Sequence, residues 1–387
     1  MSVLNYYKTK KLNPVPIKFL TKKNLKDHFL KRKNLIQNHL KIPLYSLNNK
    51  DYLEFGCNGA ENACFFASSG SNIYLAEPHK KIHKIINKNF QRIKKVNSLK
   101  MLTEKTLEEF NSKKKFDFVI AEGFLNTTNS RNTLFSKLSR FLSQKSVLII
   151  NYDDVFGGIF ELLKSLLLLK ICKMNKIDRF SDESFKISKK IFEKEFNKLN
   201  TSRTFFAWWA DQLVNPYASK TWSLKDILKQ ANKNSLSLYS TSPIFNDSNH
   251  FQWYKNSNEF SLSSKNNNRL FYNQWKKSLI SIIFGKKQKK LDNIDENVIP
   301  EIEKLSNKIS KFISNPKKND VKLKIPKNFI KLMKKCGNIT IANEFESLLK
   351  LLNSDKNPEK LIKFYKNTSE LKKTWGSLLH YVAFIKE

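Results

Sequence analysis

The residues with the clearest chemical purpose lie in one stretch, YLEFGCNGAENACFFASSGSNIYLAEP, from Tyr52 to Pro78. A short apolar run reaches Glu54 and opens into the turn Gly56-Cys57-Asn58-Gly59, and a helix is expected from about Glu61. Glycine, and asparagine as a tolerant non-glycine residue, suit a turn where a ligand approaches the main chain closely. The chain has nine glycines, and Gly56, Gly59 and Gly70 fall within fifteen residues of one another. A second apolar run ends in Glu77, about 20 residues downstream. In a doubly wound fold a carboxylate at that place reaches ribose hydroxyls. The pyrophosphate of a dinucleotide would need an uncharged helix start after the glycine turn. Here Glu61 would repel a phosphate and tolerate a cation.

Those residues need a parallel sheet to position them, and the pattern after Tyr52 supplies one. Strands are expected at Tyr52 to Phe55, Ile73 to Ala76, Ser98 to Leu102, Phe116 to Ala121 and Ser146 to Asn151, with helices over 61–69, 79–95 and 131–143. Alternation of that length implies right-handed crossovers and a sheet covered on both faces, a doubly wound α/β fold. Before it, residues 1–50 form a helical lead-in whose apolar spacing over 22–45 stops at Ile42-Pro43. The core takes 51–156. A helical and aromatic cap or substrate region takes 157–235, with a helix capped by Ser223. A core strand lies within 236–256, at Leu236 to Ser240, and a Lys/Asn-rich helical insertion occupies 257–373. The last strand, in 374–387, is expected to pair with Leu236 to Ser240 and close the sheet.

At this point the chain resembles the class I S-adenosylmethionine-dependent methyltransferases, whose first motif is an acid followed by G-x-G-x-G. Glu54-Phe55-Gly56-Cys57-Asn58-Gly59-Ala60 matches the acid and the first glycine, Asn58 and Ala60 stand at the later two, and Gly59 fills a variable place. LEFGCNGAENA, Ser68 to Gly70 and IYLAEP resemble a bacterial subgroup whose motif reads LEFGxxxGENA. FDFVIAEG (Phe116 to Gly123), SVLIIN and LLHYVAFIKE follow in the order of the family's fourth, fifth and last strands.

The resemblance implies a seven-stranded Rossmann-like sheet binding S-adenosylmethionine. Glu54, Gly56, Cys57, Asn58 and Gly59 would lie against its methionine part, with Asn62 of the GENA run in the same set. Glu77 would take the ribose, Pro78 or His79 would border the adenine with Glu104 beside it, and Glu122 would face the reacting centre.

The chemistry expected is in-line attack on a sulfonium methyl, in which alignment alone supplies about 7 kcal/mol or more. A hydroxyl acceptor also needs a base. Glu122 and Asp211 are the first choices, with Asp153, Asp154 and His250 behind them. The Asp/Asn-Pro-Pro-aromatic run of base and glutamine N-methylation families is replaced by Ala121-Glu122-Gly123-Phe124. That lowers base N-methylation, and the resemblance to the bacterial subgroup implies a small molecule or cell-surface glycan as the acceptor.

Composition bears on the alternatives. The chain has 387 residues and a formal charge of +37. Such an excess would suit RNA, and an RNA methyltransferase using the basic insertion is the second reading. A third is a Rossmann-like binding protein without catalysis. Only seven of the 71 basic residues are Arg, however, and the lysines are scattered beside abundant Asn, as compositional bias would scatter them. RNA is therefore not favoured. Cys57, Cys64, Cys172 and Cys336 form no CxxC pair, and the histidines have no metal-ligand spacing, so a cytoplasmic protein without disulfides or zinc is expected. The most apolar run, Ile159 to Cys172, is interrupted by Lys164 and Lys170 and falls short of a bilayer span of roughly 20 residues. A buried helix is expected there. Phe205, Phe206, Trp208 and Trp209 read equally as core or as a substrate wall.

Overall fold

A computed structural model describes residues 3–10, 22–199, 201, 204–218, 220–245, 265–288, 293–317 and 322–387. Seven strands form one sheet in the order β3-β2-β1-β4-β5-β7-β6. They are β1 (Asp51–Phe55), β2 (Asn72–Ala76), β3 (Leu99–Thr103), β4 (Phe116–Ala121), β5 (Leu142–Asp153), β6 (Leu236–Ser242) and β7 (Leu379–Lys386). The first five pair in parallel. β6 and β7 pair antiparallel, Leu238 opposite Phe384, so the sheet closes through the expected partnership. Helices α3 (Glu61–Ser68), α4 (Lys80–Arg92) and α5 (Arg131–Arg140) connect the early strands, as their apolar spacing predicts. This is the doubly wound methyltransferase-type sheet expected from the sequence.

The register aligns the strand ends. Phe55 stands beside Ala76 of β2 on one side and Ala121 of β4 on the other. The residues that follow, Gly56, Glu77 and Glu122, therefore emerge side by side along one edge of the sheet. Alternation along β1 sends Tyr52 and Glu54 to one face and Phe55 to the other. There Phe55 packs its ring 5.2 Å from Phe110 and 5.7 Å from Phe141. On the Tyr52 face, Ile36, Leu40 and Leu47 of the lead-in join Phe66, Ile73, Phe90 and Ile120 in one buried cluster.

Two compact units divide the chain. The first contains residues 1–152, 222–275 and 380–387, and the second contains 153–221 and 276–379. The lead-in is α1 (Val3–Lys10) and α2 (Lys22–Lys33), the latter running into a π turn, Asn34–His39. It ends before Pro43 because Lys41 turns with φ 56°. Ser223 caps the helix Leu224–Lys233 by accepting from the Asp226 amide at 3.2 Å.

The second unit is helical. Its central α6 (Ile159–Met174) is buried nearly all round, as a dense apolar run demands. The helical stretch expected over 157–199 is interrupted: α6 stops at Met174, a turn follows, and a new helix starts at Asp182 under the side-chain cap of Ser181. Phe205, Trp208 and Trp209 are core rather than surface, and only Phe206 is half exposed. Trp208 lies 5.2 Å from the rings of both Phe196 and Trp375. The last strand begins at Leu379, later than its aromatic content suggests, because Trp375 to Ser377 make a backbone crossing. A Cβ on Gly157 would overlap the Ser377 carbonyl, and one on Gly376 would overlap that of Gly157.

That crossing has no room for a methyl group. Gly157→Ala is expected to lower unfolding stability by about 1–3 kcal/mol or more, read from the denaturant midpoint. Gly123→Ala, where a Cβ meets nothing within 4 Å, incurs only the smaller penalty of its positive φ.

Candidate active site

The turn after β1 is built from three left-handed residues, Gly56 (φ 64°), Asn58 (φ 51°) and Ala60 (φ 58°). Asn58 and Ala60, which stand where the family pattern has glycine, adopt the backbone that glycine would. The turn is pinned from outside: Asn89 of α4 donates to the Gly59 carbonyl at 2.8 Å, and the Ala60 amide donates to the Cys57 carbonyl at 2.8 Å. Glu61 opens α3 with its carboxylate folded against Gly59, where a Cβ would overlap it. Burial pushes the Glu61 carboxyl up to about 7.

Glu77 accepts from the amides of Asn58 at 2.8 Å and His79 at 2.9 Å, one on each oxygen. It thereby ties the end of β2 to the glycine turn. Burial raises its pKa, against the pull of those two amides and of His83 and Lys8. An ionised carboxylate offers about four acceptor sites, so two remain for further donors.

Glu54 and Glu122 stand on the other side. Tyr52, two residues earlier on the same face of β1, donates to Glu54 Oε2 at 2.7 Å. Burial first, and then the Glu122 carboxylate, push Glu54 up to about 8. Glu122 holds most of the donors. Arg32 of α2 bonds it through Nη2 to Oε1 at 2.6 Å and through Nη1 to Oε2 at 3.1 Å. Asn62 and Tyr381 of β7 each donate to Oε2 at 3.0 Å. Burial opposes the charge on Arg32, yet the Glu122 carboxylate holds its pKa above the ordinary arginine value. One turn earlier on α2, His28 bonds the Glu61 carbonyl at 3.2 Å, and burial followed by the Arg32 charge lower its pKa to about 4.

The structure thus brings together Glu54, Gly56, Cys57, Asn58, Gly59, Asn62, Glu77, Pro78 and Glu122 at one sheet edge. Cys57 is buried, its thiol raised by burial. Glu104 follows β3 on the surface and pairs with Lys80 at 2.9 Å. Asp154 spends its carboxylate on the amides of Phe156 and Gly157. Asp211 lies buried in the second unit, in the π turn Trp209–Leu213, bonded to Gln212 at 3.1 Å. His250 falls outside the described residues. Sequence reasoning missed Arg32, Tyr52 and Tyr381. Arg32 had a signal: it is one of seven arginines in a lysine-dominated chain, four residues after His28 on one helix face.

An adenosyl sulfonium fits these residues. The buried carboxylates outnumber the buried guanidinium, which suits a cation, and Glu77 keeps acceptor capacity for a diol. Gly56 is exposed between buried neighbours, and Gly123 is exposed between partly buried ones. Among the described residues no group of His, Cys, Asp or Glu is arranged to hold a metal ion, and no helix is long and apolar enough to cross a membrane.

Residues 53–150 match the family model described as a methyltransferase domain. No curated protein matches the chain significantly. Among solved structures, PKMT2 from Rickettsia typhi in complex with AdoHcy is similar at 13% identity and TM-score 0.40, over 63% of this chain and 50% of that one. An S-adenosylmethionine-dependent methyltransferase from Clostridium acetobutylicum is similar at 16% identity and TM-score 0.28, over 39% and 59%. Magnesium protoporphyrin IX methyltransferase from Synechocystis is similar at 12% identity and TM-score 0.34, over 62% and 86%. The chain thus spans between half and three-fifths of the length of the first two. Residues 53–150, which carry the glycine turn and the aligned acidic strand ends, are similar to a methyltransferase domain.

Proposed function

We propose that the chain binds S-adenosylmethionine across the ends of β2, β1 and β4 and transfers its methyl group to a small molecule or cell-surface glycan. The observation that carries this is the row Glu77, Gly56, Glu122, which the strand register sets side by side. The donor supplies an electrophilic methyl on a sulfonium. The chain supplies alignment: Glu77 holds the ribose hydroxyls, and the main chain of Gly56 to Gly59 lies along the methionine part with Cys57 and Asn62 beside it. Pro78 borders the adenine, with Glu104 toward the outer edge. Burial keeps water from screening the attraction of the Glu122 carboxylate, and of Glu54 and Glu61 once they ionise, for the cation.

Glu122 carries two proposed roles, donor binding and base. The four hydrogen bonds on its oxygens support the first. Asp211 is the other candidate for the base. The Ala121-Glu122-Gly123-Phe124 run supports an acceptor other than a nucleobase, and four free cysteines are in keeping with a cytoplasmic setting.

Two measurements test the donor site. Glu77→Gln keeps an acceptor for one of the two turn amides and loses the charge and the other acceptor. It is expected to weaken donor binding at least tenfold, since hydrogen bonds to a charged group contribute about 1.5–3 kcal/mol each, and to lower the melting temperature by the loss of one turn hydrogen bond. Unaltered affinity would remove Glu77 from the site. The second concerns protons. Glu54, near 8, is largely protonated at neutral pH in the folded chain, and Glu61, near 7, about half so. A cationic donor favours their ionised forms. Affinity should therefore rise with pH from 6 toward 8, by about tenfold per unit for each proton released, and level above the Glu54 value. Calorimetry in buffers of different ionisation enthalpy would count the released protons. A flat profile with no proton release would refute the assignment of Glu54.

A further inference from the structure

Two helices on one side of the sheet in the first unit carry more positive charge than the chain at large. Basic residues outnumber acidic ones about two to one overall, 71 to 34. In α2 the ratio is six to one, with Asp27 the single acid, and α4 has five basic residues and no acid. Both helices pack on the same apolar cluster, through Leu25 and Phe29 of α2 and Ile82 of α4. Arg32 is spent on Glu122, but Lys23, Lys26, Lys31 and Lys33 are exposed. The excess on these helices goes beyond the general lysine bias. Beside α2, against Phe65 of α3, lies an open groove of about 390 Å³ lined by Leu25, Lys26, Phe29, Leu30, Lys33 and Phe65. Leu30 is 55% exposed. Lys26, Leu30 and Lys33 follow at i, i+4 and i+7, so they form one outward line along the helix with the leucine between two cations.

Charge and chemistry together restrict what covers such a face. A second copy of the chain would bring a formal charge of +37 against its equal and be repelled. Single-stranded RNA would meet the charge, but it binds by stacking bases on exposed aromatic rings. The large apolar side chains that α2 and α4 expose, Leu30 and Ile85, are aliphatic. An anionic bilayer answers both features, with negative headgroups for the lysines and an acyl boundary for the leucine and the groove. Lysine stems lie along apolar surface while their ammonium groups stay at headgroup level. We propose that α2 docks the first unit on an anionic lipid surface, Leu30 and the groove facing the acyl boundary and Lys26 and Lys33 the headgroups. Lysine suffices for this, because the attraction is to a diffuse layer of charge and not to one bidentate partner. On the same side α4 adds exposed Lys84 and Lys88 around Ile85. The helix lies on the surface and does not cross it. The inference is independent of the donor-site reading.

Flotation of the full chain with vesicles tests this, phosphatidylglycerol and phosphatidylcholine in equal parts being compared with phosphatidylcholine alone. A single-stranded RNA oligomer is titrated in parallel. The variants are Leu30→Ser, Lys26→Gln/Lys33→Gln and, as a control for net charge, Lys331→Gln/Lys335→Gln, an exposed pair on the helix Lys327–Lys335 of the second unit. All five side chains are exposed, and the melting temperature verifies that each variant is folded. The wild type is expected to bind the anionic vesicles alone, and less tightly as salt rises. Lys26→Gln/Lys33→Gln should weaken that binding by about ten- to thirtyfold, at roughly fivefold per lysine. Leu30→Ser should weaken it by about fivefold, and the control pair should stay within about twofold of wild type. Equal losses from the two lysine pairs would mean attraction without a defined face and would overturn the proposal, as would undiminished binding by Leu30→Ser or no binding to anionic vesicles. RNA bound more tightly than vesicles, and released by Lys26→Gln/Lys33→Gln, would overturn it in favour of a nucleic-acid surface.

Discussion

The Arg32 to Glu122 ion pair is the constraint on which the arrangement of the first unit turns. Two buried carboxylates, Glu54 and Glu122, face the same space, and their mutual repulsion adds to the burial that raises Glu54. Without the guanidinium, Glu122 would be an unpaired buried charge, and breaking such a pair by removing one partner costs roughly 3–5 kcal/mol. The pair also fixes topology. It ties α2, which precedes the sheet, to the end of β4, while Asn62 and Tyr381 bring in α3 and β7 at the same carboxylate. The lead-in is therefore a wall of the site. The same face packs into the core through Phe29, three residues before Arg32, against Phe65 at 5.7 Å.

The glycine turn shows a second balance. Asn58 and Ala60 accept left-handed backbone, which in non-glycine residues costs about 1–2 kcal/mol each. Hydrogen bonds from Asn89 to the Gly59 carbonyl and from the Asn58 amide to Glu77 hold the turn in that form. At both places where the family pattern has glycine, this chain takes a left-handed backbone with another residue. The strain is borne by contacts from neighbouring elements, so the shape of the turn depends on the packing of β2 and α4.

How far the sequence disclosed this differs from part to part. The strands of the first unit could be read because parallel, doubly covered strands are short apolar runs bounded by turns. Phe116 to Ala121 came out with its observed limits, and Ser223 was readable as a cap from local chemistry alone. The pairing of Leu236 to Ser240 with the final strand was legible because the first alternates apolar and polar residues, the second is rich in β-branched and aromatic ones, and both are left over after the helices. The wall formed by α2 was not legible. Arg32 meets Glu122 across 90 residues, and no local pattern encodes that meeting. Nor was the break at Trp375, where aromatic content suggests strand but a glycine crossing imposes a turn. The acidic strand ends were visible as single residues. Their shared edge required the register, and the register required the sheet.

The participation of Tyr381 has a consequence for biosynthesis. It stands 259 residues after the carboxylate it bonds. At about 5–20 residues per second, synthesis places roughly 10–50 s between the two. During that interval β4 and α2 can already meet, but the strand between β5 and β6 has not been made. The nascent chain therefore carries a sheet with a missing stave, and Glu122 waits with one of its donors absent. Assembly of the pocket is thus a late event in the life of each molecule, timed by the ribosome.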